Sequence, residues 1–298
     1  MVVAVIFSLY VLIGLVLHLT IKDALPILST AYYGTPLPVM AFAATVAGLV
    51  WRRLGTRQLA WLSFLAGILC AGWAFQHSYA ISSQERHPSD SCVVFWNVSS
   101  GRLGLSEIAA ALQSQKPDII GLAESGGPEA THLWQQVFPD YHVTVAQRDM
   151  LLLTKHRSVR VATGLLNEQG WFEHLRVKLG ESILNVVLVD IESNPLQSRR
   201  YAIEELADIA LHLEGEPVLI MGDFNTPADS VHFTNLRRTC VNAFESFGNG
   251  YSTTWPIPLP VLQLDHIWAN RHVPITGSKT MWTIRSDHRP VVTWIDSR

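Results

Sequence analysis

Three long apolar runs open the chain, and short apolar segments alternating with amphipathic ones fill the rest. Val2–Ile21 is twenty uncharged, mostly apolar residues, about the length a helix needs to cross roughly 30 Å of hydrocarbon. Ala24–Trp51 is again uncharged, and Pro26, Pro36 and Pro38 confine its expected helix to about Leu37–Trp51 or slightly more. Gln58–Ala80, centred on LAWLSFLAGILCAGWAF, is the third run. Three in series exceed what a buried hairpin of a soluble domain uses, so residues 1–80 read as a membrane anchor of about three transmembrane helices. Residues 81–91, ISSQERHPSDS, are polar and read as a linker to a domain at 92–298.

In that domain CVVFWNV predicts a strand ending at Asn97, Leu105–Ser114 has helical spacing, and DIIGLAES predicts a buried strand that delivers Glu124 to its end. A helix is expected near Glu129–Phe138, then strands at YHVTVAQ, MLLLTKH, VRVATGLL and HLRVKL. ILNVVLVDI predicts a long strand ending in Asp190 and Glu192. Ser198–Leu213 puts Ile203, Leu206, Ile209, Ala210 and Leu213 on one helical face and feeds the strand VLIMGDFN. Asp229 is expected to cap a short helix through Leu236, followed by a strand and proline-rich loop at YSTTWPIPLP, then QLDHIWAN and RSDHRPVVTWI. The fold class is α/β: two sheets flanked by helices, with loops at one edge converging on a site.

Charge divides the chain in the same place. Residues 1–80 hold four basic side chains and one acidic, a net of +3, and the remainder holds 18 basic and 24 acidic, a net of −6. The loop WRRLGTR carries three arginines, whereas Lys22 and Asp23 cancel in the first loop. The positive-inside rule then puts the arginine loop in the cytoplasm and the domain after residue 80 outside it, a multi-pass protein of the cell membrane. Cys92 and Cys240 form a disulfide only if the fold brings them together. Asn97-Val-Ser is a formal glycosylation sequon, discounted because it falls at a strand end.

Val218–Ser230, VLIMGDFNTPADS, runs from four apolar residues straight into a turn. If the strand persists through Phe224, Asp223 and Asn225 point to one side while the ring enters the core. The same residue types also build ordinary turns through local side-chain to backbone bonds, so this stretch alone does not choose between site and turn. Other strand ends add Asn97, Glu124, Asp190, Asp265, Asp287 and His288.

In order and spacing these residues, with the motifs FWNV, LAES, GDFNTP, LDHIW and SDHRPV, resemble the endonuclease/exonuclease/phosphatase family from about Val93 onward. With the preceding helices the resemblance is greatest to the membrane-anchored bacterial branch that includes VanJ. It implies a four-layer α/β sandwich of the DNase-I-like type. It also implies a hydrolase of phosphoester bonds whose oxygen ligands hold magnesium or manganese, because a hard cation offsets the phosphate charge that repels a nucleophile. Glu124 is then the first metal ligand, with Asn97 and Asp287 completing the set. Asp223 orients or deprotonates the attacking water, and Asn225 holds Asp223 or the phosphate. His288 donates to a phosphate oxygen with Asp265 fixing its ring, and His266 packs beside the site. One departure stands out: the strand that usually ends in a phosphate-contacting histidine here ends in Asp190, with Arg199 and Arg200 as candidate compensating cations.

The expectation is a membrane-anchored phosphoesterase acting on a lipid-linked phosphate or pyrophosphate, its partners being that substrate and the bilayer. A tethered nuclease is the alternative. The net −6 and the lack of a basic, aromatic-interleaved patch in residues 81–298 count against nucleic acid. A binding module without activity would require lost motif carboxylates, and apart from the exchange at Asp190 all are present. Specificity is expected from the loops Asn194–Gln197 and Gly248–Leu262.

Overall fold

A computed structural model describes residues 1–82, 87–102, 104–180 and 182–296. Residues 83–86 of the expected linker lie outside the described residues. The chain divides into two compact units, Met1–Tyr79 with Asn194–Ser198, and Ala80–Ser193 with Arg199–Arg298.

The first unit is helical: α1 (Val2–Leu19), α2 (Pro26–Tyr33), α3 (Leu37–Arg53) and α4 (Arg57–Ser78). Helices α1 and α4 are each long and apolar enough to cross a membrane, with mean hydropathies of 2.7 and 1.6. Three spans result only if α2 and α3, bent by 64° at their break, count as one. Helix α2 was not anticipated: Pro26 sits in its first turn, where no amide hydrogen is needed, and Pro36 imposes the break before α3. Close packing uses small residues. A Cβ on Gly14 would lie 2.6 Å from Met40 Sδ, and one on Gly48 would lie 2.7 Å from the Phe64 ring. Apolar side chains such as Leu12, Val16, Leu62 and Ile68 face outward.

The second unit is a sandwich. One sheet has β1 (Ser91–Asn97), β2 (Ile119–Ala123), β3 (His142–Val145), β4 (Leu151–Thr154), β11 (Ile275–Thr280) and β12 (Val291–Ile295), in the order β11-β12-β1-β2-β4-β3. The other has β5 (Ser158–Leu165), β6 (Gly170–Leu179), β7 (Ser182–Ile191), β8 (Val218–Asp223), β9 (Cys240–Asn242) and β10 (Asp265–Asn270), in the order β9-β10-β8-β7-β6-β5. Their inner faces meet through Phe95, Ile119, Leu152, Leu188, Met221 and Ile267. Helix α5 (Leu105–Gln113) and helix α6 (Gly127–Val137) cover the outside of the first sheet through Ile108, Leu112 and Trp134. Helix α7 (Arg200–His212) covers the second through Ile203, Leu206 and Ala210. The four layers follow from the sequence: β1, β2 and β8 are buried throughout, so each needs cover on both faces.

Among the described residues two neighbouring strand pairs are parallel, β1 with β2 and β7 with β8. Each joins its strands through a crossover helix, α5 or α7. Both pairs therefore end at their carboxyl ends, where Asn97, Glu124, Asp190 and Asp223 lie. Cys92 packs outside the first sheet and Cys240 outside the second, so two sheets separate them; both are free thiols and the disulfide is excluded. The cap after β8 is Ser230, not Asp229: its Oγ accepts from His232 N at the start of a short 3₁₀ turn, Val231–Thr234.

Gly222 is the tightest point of the β7–β8 pair, since a Cβ there would lie 2.1 Å from Val189 O. Gly222→Ala is expected to cost about 1–3 kcal/mol or more and to lower the thermal midpoint of the detergent-solubilised chain. Gly215→Ala, with nothing within 4 Å of its added carbon, should leave the midpoint in place.

Candidate active site

Register brings three carboxylates into one row. Asp190 of β7 pairs with Asp223 at the end of β8, and Asp265 at the start of β10 pairs with Asp223 from the other side. Adjacent strands are about 4.8 Å apart, and paired residues face the same way. Across the sandwich, Asn97 ends β1, and Glu124 follows β2 with a left-handed φ of 48°.

Asn97 links the sheets. Its Nδ2 donates to Glu124 Oε1 (3.1 Å) and Asp223 Oδ2 (3.0 Å), while Oδ1 accepts from Ser99 N (3.0 Å). The Asn97 amide of the sequon is buried and held by these bonds.

His288 closes the row. Its Nδ1 lies 2.8 Å from Asp265 Oδ2 and its Nε2 3.8 Å from Asp223 Oδ2. Trp96 Nε1 donates to His288 O (2.9 Å), and Ser286 Oγ donates to Asn97 O (2.7 Å) while accepting from His288 N (3.1 Å). The SDH turn is thereby pinned to the end of β1. Burial alone would lower the imidazole pKa, but Asp265 and Asp223 outweigh it and push it up to about 10. The ring is an imidazolium at neutral pH. Burial, then the neighbouring Asp265, raise the Asp223 carboxyl above the ordinary range, with His288 opposing them. Burial raises Asp190 to about 7, with Arg148 opposing and Glu124 adding to the rise.

Strand β8 does not persist through Phe224. Asn225 adopts a left-handed φ of 47°, its backbone N–H donates to Asp223 Oδ1 (2.9 Å), and its Nδ2 donates to Ile191 O (2.8 Å). Asn225 therefore holds Asp223 by its backbone and ties the turn to the end of β7 by its side chain. Phe224 is buried, as the pattern required. His266 lies under the same turn, with Nε2 2.9 Å from Thr226 O and Nδ1 3.1 Å from Asn242 Nδ2. Burial lowers its pKa, so the ring is neutral and serves packing.

The base facing Asp190 is Arg148, from the turn between β3 and β4, which sequence reasoning missed. Its Nε is 3.8 Å from Asp190 Oδ2, and its guanidinium grips both carboxylate oxygens of Glu192. Arg199 is buried, and Arg200 pairs with Glu204 one turn on (2.8 Å). No sequence spacing connects 148 to 190, so only the pairing of distant strands reveals the contact. Arg289 of SDHRP is a clamp: it donates to the carbonyls of Met281, Tyr251 and Thr253.

Glu124 offers hard carboxylate oxygens, and Asn97 supports it by donating from Nδ2 while its Oδ1 is taken by Ser99 N. Asp287 is exposed, and no described hydrogen bond joins its carboxylate to either of them. Asp223, Asp265 and His288 also present ligand atoms within 4.8 Å of one another. His288 Nδ1 is engaged by Asp265, so the free ring nitrogen of that cluster is Nε2, beside the two carboxylates. Asp265 Oδ1 is buried without a partner, and several desolvated carboxylates share the site with few cations. That arrangement fits a divalent cation.

Removing the Asp265 charge tests this electrostatic account. In Asp265→Asn the His288 pKa should fall from about 10 by roughly 1–3 pH units, read from the ring resonances in an NMR titration. The sign for stability follows. A histidine raised in the fold stabilises fully below its unfolded value, about 6.5, and that contribution is lost as pH rises through the folded value. In Asp265→Asn the loss should begin at the same pH, near the unfolded value, but be complete at lower pH and be smaller.

Comparison with known proteins agrees with this architecture. Solved structures with the same fold include D. rerio TDP2 humanized by 14 mutations, at 17% identity over 70% of this chain and 99% of that one, TM-score 0.57. Another is a mannosyl-6-phosphatase of Bacteroides thetaiotaomicron, at 15% identity over 69% and 99%, TM-score 0.57. A third is an AP endonuclease from Archaeoglobus fulgidus, at 14% identity over 69% and 99%, TM-score 0.55. No curated protein sequence matches the chain. The profile of the Endonuclease/Exonuclease/phosphatase family matches residues 94–288, which include every strand end described above. The chain belongs to that family and is by membership a phosphoester hydrolase.

Proposed function

We propose that this protein is a membrane-anchored, divalent-metal-dependent phosphoester hydrolase of the VanJ-like branch, acting outside the cytoplasm on a lipid-linked phosphate or pyrophosphate. The observation that carries the reading is the union in one chain of a hydrolase domain with helices long and apolar enough to span a bilayer, their apolar side chains facing outward. Such a surface is stable in hydrocarbon and costly in water. The arginines Arg52, Arg53 and Arg57 between α3 and α4 support a cytoplasmic loop there, which sends α4 outward and the domain with it. The net −6 of the rest of the chain disfavours a nucleic-acid polyanion.

In this reading Glu124, with Asp287 from the SDH turn, would hold the cation, and Asn97 would support that sphere by donating to Glu124. When bound, it neutralises the phosphate and polarises its oxygens. Asp223 accepts the proton of the attacking water, held in place by Asn97 and the Asn225 amide. His288 donates a charge-assisted hydrogen bond from Nε2 to a phosphate oxygen, and Asp265 keeps the ring charged.

The test is phosphate release by the detergent-solubilised chain with magnesium or manganese, from a polyprenyl pyrophosphate, a phospholipid, a plasmid and a generic diester. Release from a lipid substrate is expected, with Asp223→Asn slower by roughly 10²–10⁴. Cleavage of the plasmid alone would replace this reading by a tethered nuclease, and a periplasm-dependent reporter silent at the C-terminus would overturn the topology.

A further inference from the structure

The carboxylate row has a cation at each end. His288 stands at the Asp265 and Asp223 end, and Arg148 at the Asp190 end. A strand spacing of about 4.8 Å separates Asp223 from Asp190, so His288 contacts one end of the row and Arg148 the other. Asp190 and Glu192 hold the Arg148 guanidinium from two sides while 44% of its side chain stays exposed.

Arg148 also lines a cavity of about 460 Å³ with Ser125, Gly127, Thr131, Gln147 and Arg160. Ser125, next to Glu124, is 1% exposed, and its hydroxyl has no hydrogen-bond partner. Gly127 begins the eleven-residue helix α6, whose N-terminus has no side-chain cap. Its first-turn amides, other than the proline position, which has no N–H, and the helix dipole favour an anion. Three further groups bear on the charge: Glu129 in the first turn of α6, which opposes an anion, Arg160 and Asp149. Arg160 is engaged by Glu173 and Val145 O. The Asp149 carboxylate sits 3.3 Å from where a Gly127 Cβ would be, so its charge lies beside the helix start and opposes an anion there.

We propose that this cavity is a second anion subsite, where Arg148, Ser125 and the start of α6 bind a phosphoryl group of the substrate adjoining the one attacked beside His288. The inference deepens the proposed function by favouring a pyrophosphate over a monophosphate among lipid-linked substrates, and it rests on that reading for the identity of the attacked group. Glu192 restrains the subsite, because it occupies the guanidinium that the anion needs.

The test is binding, so that it does not depend on turnover. The full chain carrying Asp223→Asn, in detergent with saturating magnesium, is titrated calorimetrically with methylene bisphosphonate and with inorganic phosphate. The bisphosphonate should bind about tenfold more tightly or better, the scale of one charge-assisted hydrogen bond. Arg148→Ala should erase that advantage, Ser125→Ala reduce it and Glu192→Gln enlarge it, with phosphate affinity little changed in all three. Equal affinities in the parent, or the same ratio in Arg148→Ala, would overturn the subsite. Binding of this pattern without hydrolysis of any lipid substrate would sink the proposed function and leave the subsite standing. Hydrolysis of a lipid monophosphate with no bisphosphonate advantage would do the reverse.

Discussion

The shared burial of Asp190, Asp223 and Asp265 is the constraint on which the rest of the site depends. Carboxylates in adjacent strands and out of water repel one another and lose hydration, and both effects favour the neutral acid. The raised pKa values of Asp190 and Asp223 express this cost. A row of this kind persists because the sandwich cores on both faces of β7 and β8 fix the strand ends, whatever those ends carry. Stability comes from Leu188, Met221, Val189 and Ile220, and the chemistry is built on strands already held in place.

The polar partners of the row divide into those that meet its charge and those that hold its geometry. His288 and Arg148 supply positive charge at the two ends, and Asn97 supplies two amide hydrogens between the sheets. Thr254 Oγ1 accepts from Leu264 N (3.0 Å) and Asp265 N (3.3 Å), fixing the entry to β10. His266 and Ser286 fasten the two motif turns, and Arg289 fastens the loop at Tyr251–Thr253 to the strand leading out of the site. Motif residues are therefore not all chemistry. In GDFNTP, Gly222 permits strand contact and Phe224 fills a core, leaving Asp223 as the group that faces the reaction.

Local pattern was enough for most strands, the crossover helices and the strand-end carboxylates, because burial of β1, β2 and β8 on both faces is written in consecutive residues, but β9 and β11 were not anticipated. Asn97, Glu124 and Asp223 were legible because each follows an apolar run, whereas Asp265 opens its strand, His288 precedes its own, and both were read from LDHIW and SDHRPV. What failed was non-local or conformational. Arg148 meets Asp190 only through the assembled sheets, the left-handed turn at Asn225 depends on an acceptor at Ile191, and the separation of Cys92 from Cys240 depends on which outer face each occupies. The second helical segment was misjudged because the prolines were read as confining one helix to about Leu37–Trp51, whereas Pro26 begins another before it.

The carboxylates have two ways to reduce their repulsion: take up protons or face a cation. Both compete for the same oxygens, so metal affinity and protonation are linked in this site. Asn97 favours the ionised form of Asp223 by donating to it, and the imidazolium of His288 does the same from the other side. Burial opposes both. The balance lies near neutrality for Asp190, so small changes in nearby charge decide which form prevails. A histidine in place of Asp190 would add a positive charge where this chain has a negative one. Arg148 returns that charge from a different strand turn, at the cost of tying its guanidinium to two acids. The net charge of this corner is thus set by a pair of residues drawn from distant parts of the chain, and its chemistry by the geometry in which the sheets bring them together.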